Sequence, residues 1–336
     1  MEPEILHTSG GLLFEEVSLE GGEGGRTERP SSSPRGPYEY VLMGVSVLFA
    51  IICIGFVVTI ILEAVPAFKQ QGSYLFTGTT WQQGGGSTPS QYGGLSMIVG
   101  TFQVAVVAMV AAVVIGMGTA LSIVFFLPLR LRNLVATLVE LLAAVPSVVY
   151  GIFGYLVLAP WVLTTLGPFL SGLPGGTAIF GSVQTGTSML LASVVVAVMV
   201  LPTFVAIARE VLSAVPHELS EASLSLGATQ WQTLSRTVIP TARIGLFGAA
   251  ALALGRAIGE TVAVALVAGQ VNQISWKSLE PGTTLASWIA NNFGEATGDQ
   301  VNALFALGVI LMAISLATSL FSRWLVARQR RAAAVV

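Results

Sequence analysis

Charge is scarce in this chain. Only 10% of its residues are Asp, Glu, Lys or Arg, against 54% hydrophobic residues and a mean hydropathy of +0.80. A soluble domain carries about a quarter charged residues, so this composition excludes a surface that faces water on all sides. Cysteine is scarcer still. Cys53 stands alone, which excludes a disulfide within the chain and a cysteine-built metal site. The two histidines, His7 and His217, lack ligand spacing. No Gly-x-x-x-x-Gly-Lys-Ser/Thr loop occurs, so any ATP used must be hydrolysed by a separate subunit. No short basic start with an apolar core and a small-residue cleavage site opens the chain, so the first apolar run is expected to remain as an anchor.

What the chain does have is long apolar runs. No charged residue occurs from 70 to 129 or from 141 to 208. A helix needs roughly 20 apolar residues to cross the hydrocarbon core, so these runs hold several crossings. The expected fold is an all-α polytopic membrane protein with six spans, at about 40–62, 95–126, 135–159, 188–208, 244–270 and 301–325. Pro146 and the glycines after it (Gly151, Gly154) predict a kinked or partly re-entrant third span, either for passage of a substrate or for packing alone. Residues 1–38 are polar, Gly/Ser/Pro-rich and without periodicity. They read as a disordered tail. Residues 39–94 then hold the first span and an outer loop, 95–325 the core of the protein, and 326–336 a second tail.

Orientation follows from the basic residues. With the N-terminus inside, the cytoplasmic side receives Arg26, Arg29, Arg35, Arg130, Arg132, Arg209, Arg236, Arg243, Arg323, Arg328, Arg330 and Arg331, and the outside only Lys69 and Lys277. The positive-inside rule therefore predicts cytoplasmic N- and C-termini. Outer-loop aromatics (Trp81, Tyr92, Trp161, Trp276, Trp288) fit interfacial belts.

A polar island interrupts the apolar runs between residues 209 and 243. Pro216 suits a helix start. Leu219, Ala222 and Leu226 fall on one helical face, and Gly227 supplies a left-handed stop. Trp231, Leu234 and Val238 continue as a second amphipathic turn, which Pro240 is expected to end before the membrane. Such a knob is either a hairpin lying on the bilayer or a surface gripped by a soluble partner. Glu218 and Glu221 would repel anionic headgroups, which favours the partner.

Arg256 is the one arginine expected inside a span, about 18 Å in if the helix starts near Ile244. An arginine at that depth costs on the order of 2.5–3.5 kcal/mol on insertion scales, so something must compensate it. Glu260, at i+4, is expected on the same face, and Glu140 is read as a second intramembrane acid or as a cap of the cytoplasmic end of its span. The guanidinium fork matches phosphate oxygens two at a time. A weakly held Arg256–Glu260 pair would release the guanidinium to an arriving anion; the competing reading is an ion pair that only locks helices.

Several of these motifs carry a family resemblance. Glu221, Ala222, Gly227, Ile239 and Pro240 resemble the coupling-loop signature of ABC importer permeases, with Ser223 and Thr237 as departures. Three further stretches resemble the C-type permease subunits of phosphate-specific ABC importers. They are Tyr92–Leu95 with Ile98–Thr101, Glu140–Gly151, and Leu254–Val264. The resemblance extends over most of residues 74–270. It implies the ABC importer permease fold, with Glu221, Ala222, Gly227 and Pro240 in the ATPase-coupling loop and Arg256, Glu260 and Glu140 on the substrate pathway. It also implies a homologous A-type permease, two cytoplasmic ATPase subunits and an external phosphate-binding protein as partners, in the bacterial inner membrane. The chain itself is then not an enzyme and binds no cofactor, and nucleic acid is not among its partners. The alternatives are an importer of another oxyanion such as sulfate or molybdate, a secondary transporter, for which no internal repeat is found, or a scaffold, which leaves Arg256 unexplained.

Overall fold

The computed structural model describes residues 37–84 and 89–333; the expected tail at 1–38 lies outside these residues but for its last two. The chain divides into two units, 1–54 and 55–336. Among the described residues of the first unit are the opening turns of the helix Pro37–Gln71.

Among the described residues, six helices are long and apolar enough to cross a membrane: Tyr38–Gln71, Leu95–Phe126, Ser147–Gly172, Met189–Ser213, Gln230–Ile258 and Asp299–Arg328. The number agrees with the sequence expectation. Two positions do not. The third span starts at Ser147, because Val145 and Pro146 are extended and separate it from an amphipathic helix, Leu129–Ala144. A proline disfavours helical backbone at the residue before it, so Pro146 makes a boundary and not a kink. The fifth span runs from Gln230 to Ile258, so Pro240 does not stop the helix. The last helix carries on to Ala333.

Pro240 is tolerated through a local device that recurs. A five-residue π-helical turn ends two residues before each of Pro128, Pro160, Pro168 and Pro240: Ser122–Phe126, Gly154–Leu158, Val162–Leu166 and Leu234–Val238. A proline lacks the N–H that would bond the carbonyl four residues back, and its ring collides with that carbonyl. In each case the residue before the proline donates its N–H five residues back (Leu127 to Ser122, Ala159 to Gly154, Gly167 to Val162, Ile239 to Leu234). At Pro160, Pro168 and Pro240 the wider turn makes room and the helix goes on, whereas at Leu127 the backbone becomes extended and the helix ends.

The core of the second unit lies where the second, fourth and fifth spans pack together, with the sixth against the fifth. Small residues form the seams. Ala105, Ala108, Ala112 and Ala120 on the second span, and Ala249, Ala253 and Ala257 on the fifth, are buried at helical spacing. In lipid there is no hydrophobic drive between helices, so close backbone approach through small side chains is what holds them.

At the fifth span's end the chain breaks at Gly259–Thr261, forms a short helix Val262–Val267, and turns back through a bridge between Gly269 and Gly282. The third span lies close against this short helix: a Cβ on Gly151 would sit 2.7 Å from the Leu266 side chain and 3.0 Å from the Ala263 Cα. Gly151→Val is therefore expected to push the two apart and destabilise the protein by about 1–3 kcal/mol. Thermal unfolding in detergent checks it, and a midpoint equal to that of the wild type refutes the close approach.

Candidate functional site

Arg256 lies in the last turn of the helix Ile239–Ile258. Its position relative to the fourth span gives its depth. The guanidinium Nη1 donates to the Thr203 Oγ1 at 3.1 Å, and Thr203 is about 21 Å along the helix axis from Met189 and about 15 Å from Ser213. The arginine thus meets the fourth span partway along its length but lies at the end of its own span, Gln230–Ile258, and not at the middle of a helix that starts near Ile244. Helix carbonyls at this C-terminal end favour a cation. The helix end is loosely closed: Gly259 N–H reaches the Gly255 carbonyl at 3.3 Å and Glu260 N–H the Ala257 carbonyl at 3.4 Å.

The expected Arg256–Glu260 pair does not form. The ion pairs among the described residues are Arg209–Glu140 and Lys277–Glu280. The helix ends at Ile258, so Glu260 is in the break, half-buried, and the i+4 relation that assumed a continuous helix does not apply. Glu140 is also elsewhere than expected. It sits late in the amphipathic helix Leu129–Ala144, outside the third span, and accepts from Arg209 Nη2 at 3.0 Å. Thr203 and Arg209 are thus the partners that sequence reasoning missed. They lie 53 and 69 residues from Arg256 and Glu140, and no periodicity links such distant positions. Tyr150 donates its hydroxyl to the Leu142 carbonyl at 2.7 Å, closing the end of the amphipathic helix.

The polar island forms two short helices, as expected. The first, His217–Ser225, follows Pro216 directly. Its end has both bonds of a Schellman closure: Gly227 N–H to the Leu224 carbonyl at 2.9 Å and Ala228 N–H to the Ser223 carbonyl at 3.3 Å, with Gly227 at φ 86°. The second begins with a capping box between Thr229 and Gln232 and runs on into the fifth span. The hydroxyls of Ser223 and Thr233, 3.1 Å apart, tie the two together. The second helix anchors the knob by burying Leu234 and Val238. Outward it presents Glu221, Ala222, Leu226 and Trp231, with Leu226 90% exposed. Leu219 and Leu224 of the first helix are exposed as well.

Trp81, Tyr92 and Trp288 pack as one cluster, Trp81 tilted against Tyr92 and edge-on to Trp288, with ring centroids 4.9 Å and 5.9 Å apart, while Trp161 and Trp276 stay exposed. Burial pushes the Tyr92 hydroxyl above its ordinary range.

Residues 112–331 match the family described as binding-protein-dependent transport system inner membrane component. Among curated proteins, the chain is 35% identical over 326 residues to a "Phosphate transport system permease protein PstC" of Xylella fastidiosa, covering 95% of this chain and 98% of that protein. It is 35% identical to the protein of the same name from Mesorhizobium japonicum (84% and 87% covered), and 33% identical to "Phosphate transport system permease protein PstC 1" of Mycobacterium tuberculosis (81% and 87%). Among solved structures, an inward-facing MetNI methionine ABC transporter chain matches with a TM-score of 0.50 at 17% identity, covering 69% of this chain and 95% of that one; this likeness speaks to the fold alone. Six helices able to span a membrane among the described residues, an exposed two-helix knob between the fourth and fifth of them, and relatives alike over nearly the whole length lead to one assignment: the chain belongs to the binding-protein-dependent transport system inner membrane component family.

Proposed function

We propose that this chain is the C-type membrane subunit of an ATP-driven importer of inorganic phosphate. One observation carries the reading: the likeness to phosphate permeases runs over 95% of the chain at 35% identity, and so takes in both the Arg256 break and the knob. The geometry supports it. Arg256 is a permanent cation whose one side-chain hydrogen bond among the described residues goes to Thr203, which leaves most of its five N–H donors for an oxyanion. The chain has no nucleotide loop of its own, and the exposed knob 217–240 suits a groove on a soluble ATPase subunit.

In this reading both termini are cytoplasmic, because all the arginines except the intramembrane Arg256 are assigned to one side and Lys69 and Lys277 to the other. An external binding protein delivers the anion, and a homologous permease completes the pathway. Closure of two ATPase subunits moves the knob, and the spans swing between outward and inward openings. Arg256 receives phosphate at mid-membrane. The substrate oxygens replace water around the guanidinium, and Thr203 keeps it aimed.

Radiolabelled phosphate uptake at micromolar concentration tests the proposal, in cells lacking this chain and in the same cells with it restored. The expected result is uptake that returns with the chain and is blocked by unlabelled phosphate but not by sulfate or molybdate. Uptake unchanged by the chain would overturn the substrate.

A further inference from the structure

A polar cleft of about 550 Å³ opens between the amphipathic helix Leu129–Ala144 and the end of the fourth span. Leu129, Arg132, Asn133 and Ala136 form one wall, at the i, i+3, i+4 and i+7 spacing of a single helix face. Arg209, Glu210 and Ser213 stand on the other. Two arginines, Arg132 and Arg209, therefore line one space from its two walls. Arg132 has no ion-pair partner within 4.0 Å among the described residues. Arg209 has Glu140, at 3.0 Å, one turn beyond Ala136. The Glu140 side chain is 59% exposed, so this pair is open to exchange with another anion.

We propose that this cleft is a second phosphate-group site, in which Arg132, Asn133 and Arg209 receive the anion on its way out. Glu140 holds Arg209 when the site is empty and yields it when an anion arrives. The chemistry is that of charge-assisted bonds from two guanidinium forks to one tetrahedral oxyanion. Glu210, on the same wall, limits retention by like-charge repulsion, so the site binds weakly and releases. Its use as an exit rests on the phosphate importer reading and on the cytoplasmic side assigned to Arg132 and Arg209. The same chemistry would also take the phosphate of a lipid headgroup, since the cleft lies at one end of a spanning helix.

Hydrogen exchange of the full-length chain, purified with its co-expressed partner subunits in nanodiscs, separates these cases. In neutral phosphatidylcholine discs, inorganic phosphate is expected to protect peptides from 129–144 and 206–213. Arg132→Gln, which leaves the Arg209–Glu140 pair in place, should raise the phosphate concentration for half-protection at least tenfold. Glu140→Gln, which frees Arg209, should lower it severalfold. Protection that appears only in phosphatidylglycerol discs, and not with inorganic phosphate, would overturn the exit role. No protection in either disc, or equal half-protection in wild type and both variants, would overturn the site. If cells still take up phosphate while the cleft stays unprotected, the exit site alone fails. If this chain restores no phosphate uptake at all, the importer reading fails instead.

Discussion

Replacing Arg256 by alanine is expected to abolish phosphate uptake while leaving the chain inserted and bound to its partners. An arginine that recognises phosphate makes two or more charge-assisted hydrogen bonds, each about 1.5–3 kcal/mol. Losing two of them is a loss of about 3–6 kcal/mol, or roughly 10²–10⁴-fold in uptake at limiting phosphate. Lysine at the same position keeps the charge but not the planar fork, and should restore only part of the activity. Thr203→Val removes the one recorded hydrogen bond to the guanidinium, at 3.1 Å, with little change of volume. It should cost a few-fold, because the arginine remains but is no longer aimed.

The sign of the stability change separates this role from that of a helix lock. A lock requires a carboxylate partner, and none lies within 4.0 Å of Arg256 among the described residues. Removing an unpaired cation from the membrane interior relieves an insertion cost on the order of 2.5–3.5 kcal/mol. Arg256→Ala should therefore leave the thermal unfolding midpoint unchanged or raise it. A clear fall in the midpoint, or wild-type uptake by an assembled variant, would overturn the pathway role.

How far the sequence revealed this site depended on whether each contact was local. The six spans were legible because composition alone decides them, and the knob was legible because Pro216 and Gly227 act within their own turns. The third span was displaced because Leu129–Ala144 is rich enough in leucine to blur into it. Only the extended backbone at Val145 and Pro146 separates the two. Proline ordinarily ends a helix, which puts the expected start of the fifth span after Pro240, whereas the π turn at Leu234–Val238 carries the helix past it. The Arg256–Glu260 pair followed from assuming an unbroken helix across Gly259. The partners that do form, Thr203 and Arg209, depend on how the fourth span packs against two other helices. That is long-range information, which no local spacing contains.

Replacing Gly227 by valine should uncouple the membrane subunit from ATP hydrolysis. The residue's φ of 86° lies where only glycine, and to a lesser extent asparagine, is at ease. A Cβ there would meet nothing within 4 Å, so the penalty is backbone strain without collision. For a β-branched residue the cost is of order 1–3 kcal/mol. The cheapest relief is for the turn to leave the left-handed region. That breaks the Gly227 and Ala228 closing bonds and re-aims His217–Ser225 with its exposed Glu221 and Leu226. The anchoring side chains Leu234 and Val238 are buried in the next helix and stay in place, so the fold survives while the contact surface is misdirected. A graded series follows from the same argument: asparagine near wild type, alanine intermediate, valine lowest. Co-purification of the ATPase subunits and phosphate uptake should fall together along this series, by roughly 5- to 150-fold for valine if its strain of 1–3 kcal/mol is borne by docking. Valine equal to wild type in both measurements would sink the coupling role. A fall in uptake with unchanged ATPase binding would mean instead that the knob transmits motion and does not supply affinity, since strain in the turn would then be felt only when the ATPase subunits close.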